Sequence, residues 1–240
     1  NKMRKRFINW LVKKASLNEK IILLTGDLGY SVLEPFADKF PERFINVGVA
    51  EQNMIGIASG LASEGFLPYV YSIGIFPTFR CAEQLRNDVD YHQLPVVTCT
   101  VGSGVAYGNL GYSHHAIQDL GLMRLLPNTI ISTPSDPLEV EKILDYHLLN
   151  PSPMYLRMHK SGEPALHSNL EKILPGELYP LYNPKTIENL YPEICIIVCG
   201  FISFEVINIM KRLNINIPVY SLPMWGQGFT SNLKKEINKY

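Results

Sequence analysis

The chain has 240 residues, enough to bury a substantial core but few for two full domains, so we expect one domain with a smaller companion. Lys and Arg together number 22 and balance 22 Asp and Glu, which disfavours nucleic acid or an anionic membrane as a partner. Four cysteines without a Cys-x-x-Cys pair, and apolar runs that stay short of ~18 residues, favour a cytoplasmic protein that does not span a membrane.

The first part of the chain alternates helix and strand patterns. Residues 3–17 carry apolar side chains among lysines and arginines, which is typical of an amphipathic helix. The apolar run Ile21–Leu24 predicts a buried strand, Thr25–Tyr30 a loop, and Val32–Phe40 a helix. This succession is typical of an α/β domain.

The stretch Phe44–Gly65 predicts a strand that runs directly into a helix. Its first residues are β-branched or aromatic, and from Met54 onward apolar side chains recur at helical spacing. Glu51 lies at the junction, which corresponds to the edge where parallel sheets bind ligands. A carboxyl group with apolar flanks is a candidate for holding or sharing a proton. A helix-start carboxylate stabilised by the helix dipole is the alternative interpretation.

Two further strands, Leu67–Ser72 and Leu94–Val101, are predicted with a helix over Arg80–Tyr91 between them. The loop Gly102–His115 follows the second of these strands. Its four glycines permit the close backbone approach that active-site loops often need. The loop is not a dinucleotide fingerprint, because Tyr107 stands where the third glycine belongs.

The second half of the chain divides into three parts. A helix over Glu139–Leu149 and a strand over Ser152–Met158 complete a first domain of residues 1–160. Residues 161–192 are rich in Pro, Gly, Asn and Tyr with weak periodicity, which predicts a linker. Residues 193–240 show a β-α-β-α pattern that stops after two strands, so we expect a partial second domain.

Two motifs in this order resemble those of transketolases and related thiamine-diphosphate enzymes. The first is Val49-Ala-Glu51-Gln-Asn-Met54, and the second is Ser113-His114-His115 followed by an Arg-x-x-Pro-Asn turn. The resemblance covers residues 20–160 well and 190–240 loosely. It implies an α/β fold with a parallel sheet flanked by helices, like a transketolase pyrimidine domain, followed by a partial α/β C-terminal domain.

The resemblance also implies roles for cofactor-binding and catalytic residues. Glu51 would hydrogen-bond the aminopyrimidine ring of thiamine diphosphate, and Asp27 would approach the cofactor, although Gly-Asp is equally an ordinary turn. Phe76, or Phe79 as second choice, would stack on the ring, with core packing as the alternative for both. His114 would contact a substrate oxygen as an acid or base.

Three more residues are assigned to the substrate by the same resemblance. Ser31 would help to hold a sugar phosphate, and His115 stands where the family has a glutamine. Arg157 would grip a substrate phosphate, with a surface ion pair as the alternative. No further His or Cys cluster accompanies the two histidines, so we expect no metal ligands in this chain.

The sequence lacks the family's Gly-Asp-Gly pattern, which binds magnesium and the cofactor diphosphate. The resemblance therefore implies a separate N-terminal, pyrophosphate-binding subunit that holds most of the magnesium site. An α2β2 assembly with active sites at the subunit interface is the expected form.

The implied activity is transfer of a two-carbon ketol unit between sugars or sugar phosphates. The family aspartate that reads a sugar hydroxyl falls on Leu110, which favours an unusual or nucleotide-linked sugar over an ordinary pentose phosphate. One alternative is the β-type subunit of a 2-oxoacid dehydrogenase or a deoxyxylulose-phosphate-synthase-like enzyme. A non-catalytic scaffold of the same fold is the other.

Overall fold

The computed structural model describes residues 2–183 and 194–239. The strands within these ranges are β1 (Ile21–Thr25), β2 (Phe44–Asn46), β3 (Leu67–Ile73), β4 (Val97–Val101), β5 (Ile130–Ser132), β6 (Met154–Met158), β7 (Tyr179–Tyr182), β8 (Ile196–Val198), β9 (Val219–Ser221) and β10 (Met224–Trp225). Seven form one sheet in the order β10-β5-β6-β4-β3-β1-β2, and three form a smaller sheet in the order β7-β9-β8. Neighbouring strands of the large sheet are parallel, except that β10 is antiparallel to β5.

The helices within the same ranges are α1 (Lys2–Ala15), α2 (Glu34–Lys39), α3 (Glu51–Ser63), α4 (Phe76–Phe79), α5 (Ala82–Gln84), α6 (Asp119–Met123), α7 (Pro137–Leu149), α8 (Ile202–Arg212) and α9 (Thr230–Ile237). α5 continues directly into a π-helical segment, Leu85–Asp90. The start of α7 shows why these residues form a helix: the Asp136 side chain accepts hydrogen bonds from the backbone N–H groups of Leu138 and Glu139, and a proline lies in the first turn.

Helices cover both faces of the large sheet. Leu23 of β1 packs in the core cluster that contains Phe7 of α1, whereas the next residue, Leu24, packs in the cluster that contains Met54 of α3. Alternate side chains of a strand point to opposite faces, so α1 and α3 lie on opposite sides of the sheet. β1 and β4 are buried at every residue, as parallel strands covered on both faces usually are. The predicted α/β fold is confirmed.

The strand that leads to Glu51 is shorter than its apolar pattern predicts. β2 ends at Asn46, although apolar residues continue to Val49. Gly48 has a φ of 72°, and its N–H donates to the Asn46 side-chain oxygen over 3.0 Å. The chain therefore turns before α3 begins, and this turn sets where Glu51 lies.

The C-terminal part of the chain contributes to both sheets. β8, α8, β9 and α9 follow the predicted β-α-β-α order, and β10 joins the edge of the large sheet. β7 lies within the predicted linker and pairs with β9. The predicted division into residues 1–160, 161–192 and 193–240 stays a prediction, since residues 184–192 of the linker lie outside the described residues. In the described ranges, every helix is too short or too polar to cross a bilayer.

Candidate active site

Four of the predicted site residues follow neighbouring strands of the large sheet. Asp27 comes after β1, Glu51 after β2, Phe76 after β3 and His114 in the loop after β4. These strands are parallel and adjacent, so their carboxyl ends meet at one edge. The carboxyl edge of an open α/β sheet is where such folds bind ligands.

Glu51 is a buried carboxylate at this edge. It is the first residue of α3 and is 2% exposed. Its Oε2 accepts a hydrogen bond from Arg80 Nη1 over 2.6 Å, whereas Oε1 accepts none from the described residues. A Cβ added at Gly26 would lie 3.2 Å from the Gly48 carbonyl oxygen and 4.0 Å from Oε1. Glycine at position 26 thus leaves room beside the second carboxylate oxygen.

Arg80 is a site residue that the sequence analysis missed. It directly follows α4, and its side chain is 49% exposed. Besides its ion pair with Glu51, its guanidinium carbon lies 5.0 Å from the centroid of the Phe76 ring. Arg80 therefore connects the buried carboxylate to the aromatic candidate. Its place in the sequence, directly after the segment with Phe76 and Phe79, indicates that it lies near the site. Its contact with Glu51 could not be predicted, because the two residues are 29 positions apart in the sequence.

Of the two candidate phenylalanines, Phe76 has the closer contacts with other site residues. Its ring lies 5.1 Å from the ring of His114 at an interplanar angle of 68°. Phe79 is 49% exposed, so the core-packing alternative does not describe it. The structure thus brings Glu51, Arg80, Phe76 and His114 into one chain of contacts.

The two histidines lie in a loop held by its glycines. His114 ends a 3-10 turn, and its Nδ1 is 3.0 Å from the hydroxyl of Ser113. His115 Nε2 is buried and has no hydrogen-bond partner among the described residues. Gly102, at the start of this loop, has a φ of 91°, and a Cβ there would lie 2.2 Å from the Tyr107 ring. Only glycine fits that position without displacing the ring.

Asp27 and Ser31 both have left-handed backbone conformations. Asp27 has a φ of 56° and Ser31 of 62°, which is unusual for residues with a side chain. Asp27 N–H donates to Asn46 over 2.9 Å, and the Asp27 carboxylate accepts from the Tyr30 hydroxyl over 3.0 Å, which raises the pKa of Tyr30. Ser31 N–H donates to Glu34 over 2.7 Å. Side-chain contacts therefore fix the loop after β1 at the sheet edge.

Arg157 lies in an internal ion pair. Its Nε donates to Asp119 Oδ2 over 2.6 Å, and its Nη2 donates to the Ala116 carbonyl oxygen over 2.6 Å. The two charged side chains are 13% and 0% exposed. The ion pair is not on the surface, and two of the three guanidinium nitrogens already have partners. Contact with a substrate phosphate stays a prediction that these bonds do not favour.

Metal ligands were not expected in this chain. The described part of the chain contains no group of three or more His, Cys, Asp or Glu side chains that could hold a metal ion. Residues 1, 184–193 and 240 lie outside the described ranges, so the expectation for the whole chain stays a prediction.

Residues 2–164 match the family described as transketolase, pyrimidine binding domain. The chain belongs to this family. The predicted relation to thiamine-diphosphate-dependent transketolases is thereby confirmed.

Individual relatives agree with this assignment. The chain is 30% identical over 226 residues to a subunit of the apulose-4-phosphate transketolase of Actinobacillus succinogenes, covering 93% of this chain and 70% of that protein. It is 34% identical over 171 residues to a putative transketolase C-terminal section of Methanocaldococcus jannaschii, covering 71% of this chain and 54% of that protein. A solved structure described as a split gene transketolase, inactive beta4 tetramer, superposes with a TM-score of 0.77 at 31% identity, covering 92% of this chain and 71% of that one. The chain thus spans between 54% and 71% of the length of these relatives.

Proposed function

We propose that this chain is the pyrimidine-binding subunit of a split, thiamine-diphosphate-dependent transketolase that transfers a two-carbon ketol unit between sugars or sugar phosphates. The observation that carries the proposal is the buried carboxylate of Glu51, which has one oxygen on Arg80 and the other beside Gly26. A dry carboxylate with one unpaired oxygen is suited to hydrogen-bond the edge of a flat heterocycle. Family membership makes the aminopyrimidine ring of thiamine diphosphate that heterocycle.

The residues at this edge fit the pyrimidine part of the cofactor. When bound, thiamine diphosphate supplies the carbon nucleophile that takes up the two-carbon unit. Glu51 Oε1 would hold a proton at the edge of the aminopyrimidine ring. Phe76, with Phe79 as second choice, would offer an aromatic surface to the ring. Asp27 would provide a polar contact to the cofactor. His114 and His115 would bind and orient the substrate oxygens, and Ser31 a sugar phosphate.

Exposed apolar side chains at the same edge support a separate protein partner. Tyr30 (73% exposed), Val49 (75%), Val105 (63%) and Tyr112 (72%) lie in the loops that follow β1, β2 and β4. Apolar side chains clustered around a site are typical of a surface that another protein covers. We assign as this partner an N-terminal, pyrophosphate-binding subunit that also holds magnesium, in an α2β2 assembly. Relatives described as one subunit of a transketolase and as a C-terminal section support a separate N-terminal subunit.

The test is Glu51→Gln, assayed with the partner subunit, thiamine diphosphate and magnesium. Glutamine keeps the shape of the side chain but cannot hold the proton, so we expect turnover to fall about 100-fold or more. Glu64→Gln is the matched control, because Glu64 is exposed at the other end of α3. Wild-type turnover in Glu51→Gln would show that the carboxylate is not part of the chemistry.

Donor choice separates the alternatives. A transketolase uses hydroxypyruvate as a ketol donor, whereas a 2-oxoacid dehydrogenase subunit or a deoxyxylulose-phosphate-synthase-like enzyme uses pyruvate. A non-catalytic scaffold would turn over neither donor, and Glu51→Gln would leave its affinity for thiamine diphosphate unchanged.

A further inference from the structure

We propose that Arg157, together with Asp119, is a positioning residue that fixes the loop of residues 102–118 against the sheet, and not a phosphate-binding residue. This loop, here called the histidine loop, carries His114 and His115. The catalytic part of the inference rests on the proposed function, whereas the structural part can be tested without it.

Ala116 is the point at which the histidine loop is held. It is 0% exposed, and its backbone N–H and carbonyl groups both pair with Gly104, each over 2.9 Å. The same carbonyl oxygen accepts the 2.6 Å hydrogen bond from Arg157 Nη2. On the side of β3, a Cβ added at Gly74 would lie 2.7 Å from the Cβ of Ala116. Ala116 is therefore held by Gly104 within the histidine loop, by Arg157 of β6 and by close packing against Gly74. His114 lies only two positions before it.

Asp119, three residues after Ala116, is held by the same arginine. Its carboxylate is 0% exposed, and it accepts hydrogen bonds from Arg157 Nε and from the Tyr155 hydroxyl, both over 2.6 Å. The Thr100 hydroxyl donates to the Tyr155 hydroxyl over 3.1 Å. Arg157 and Tyr155 belong to β6 and Thr100 to β4, so α6 is tied to two neighbouring strands of the large sheet. The end of the histidine loop is thus fixed at Ala116 and again three residues later at Asp119.

This geometry does not suit phosphate binding. A phosphate-binding arginine presents a free pair of N–H groups to its ligand. In Arg157 the Nε and Nη2 donors are engaged within the chain, its side chain is 13% exposed, and the Asp119 carboxylate balances its charge. The guanidinium fork is used to hold a backbone carbonyl and a carboxylate at once, which the single ammonium group of lysine does not reproduce.

The first test uses amide hydrogen exchange on this subunit alone. In the wild-type chain the N–H groups of Gly104 and Ala116 should be protected. Arg157→Lys should raise their exchange rates about 10-fold or more. Lysine keeps the charge but cannot donate to the Ala116 carbonyl and to the Asp119 carboxylate in the way the guanidinium group does. Arg124→Lys is the control, since Arg124 is exposed at the end of α6, and it should leave both amides unchanged. Unchanged protection in Arg157→Lys would overturn the inference.

The second test measures turnover with the partner subunit on two substrates that differ only in a terminal phosphate. A positioning role predicts that Arg157→Lys lowers kcat/KM by the same factor for both substrates. Asp119→Asn should lower it in the same way, and the double variant should lose no more than the worse single variant. A loss confined to the phosphorylated substrate would instead show a phosphate-binding residue. If the proposed function fails and no turnover is found, the exchange measurement still decides the structural part.

Discussion

Replacing Arg80 with methionine should destabilise the subunit by leaving the Glu51 carboxylate buried without its partner. Removing the partner of a buried acceptor costs about 1–3 kcal/mol, and more when the acceptor is charged. The upper figures known for fully buried ion pairs do not apply, since the Arg80 side chain is 49% exposed whereas Glu51 is 2% exposed. For a chain of this length, a loss of about 2 kcal/mol lowers Tm by about 4–8 °C.

Thermal unfolding of the subunit alone at pH 7, followed by circular dichroism, measures this loss. Arg86→Met is the matched control, because Arg86 is exposed and its side chain donates a hydrogen bond to the neighbouring Asn87. Glu51→Gln in the Arg80→Met background should recover part of the stability, because a neutral amide needs no counter-charge. If Arg80→Met unfolds at the same temperature as Arg86→Met, or if the second substitution recovers nothing, the ion pair does not stabilise the site.

Two further predictions concern His147 of α7 and Gly102 at the start of the histidine loop. Burial lowers the pKa of His147 from 6.5 to about 4. The unfolded chain therefore takes up the proton first as the pH falls. The contribution to stability should be full above pH 6.5 and should be lost as the pH drops toward 4, by about 3 kcal/mol at most. Urea unfolding across this pH range should show a smaller decline for His147→Phe, and an unchanged decline would contradict the assignment. Gly102→Ala should cost about 1–3 kcal/mol, because its φ is 91° and the new Cβ would meet the Tyr107 ring. In the same urea assay Gly108→Ala should cost clearly less, because a Cβ at position 108 meets no atom within 4 Å. Equal losses for the two variants would show that the backbone at Gly102 does not require glycine.

The sequence predicts β1 to β4 and β6 in their order, because each is a short apolar run between turn residues. Glu51 could be placed at a strand–helix junction for the same reason, and Phe76 and His114 follow from their motifs. The partners of Arg80 and Arg157 could not be predicted, since they lie 29 and 38 residues away and tertiary packing alone brings them together. β10 was missed because an antiparallel pairing of two residues has no periodicity to detect.

The antiparallel pairing of β10 with β5 ties the pyrimidine-binding domain to the C-terminal part of the chain. Met224 and Trp225 cover the hydrogen-bonding edge of β5, and the Trp225 indole N–H donates to Thr133 over 3.2 Å. A chain cut at residue 164, where the family match ends, would leave the backbone groups on that edge of β5 unpaired. The large sheet therefore depends on Met224 and Trp225, about 60 residues after the end of the family match, to cover this edge. We expect a chain without them to pair through the open edge with other molecules and to aggregate more readily.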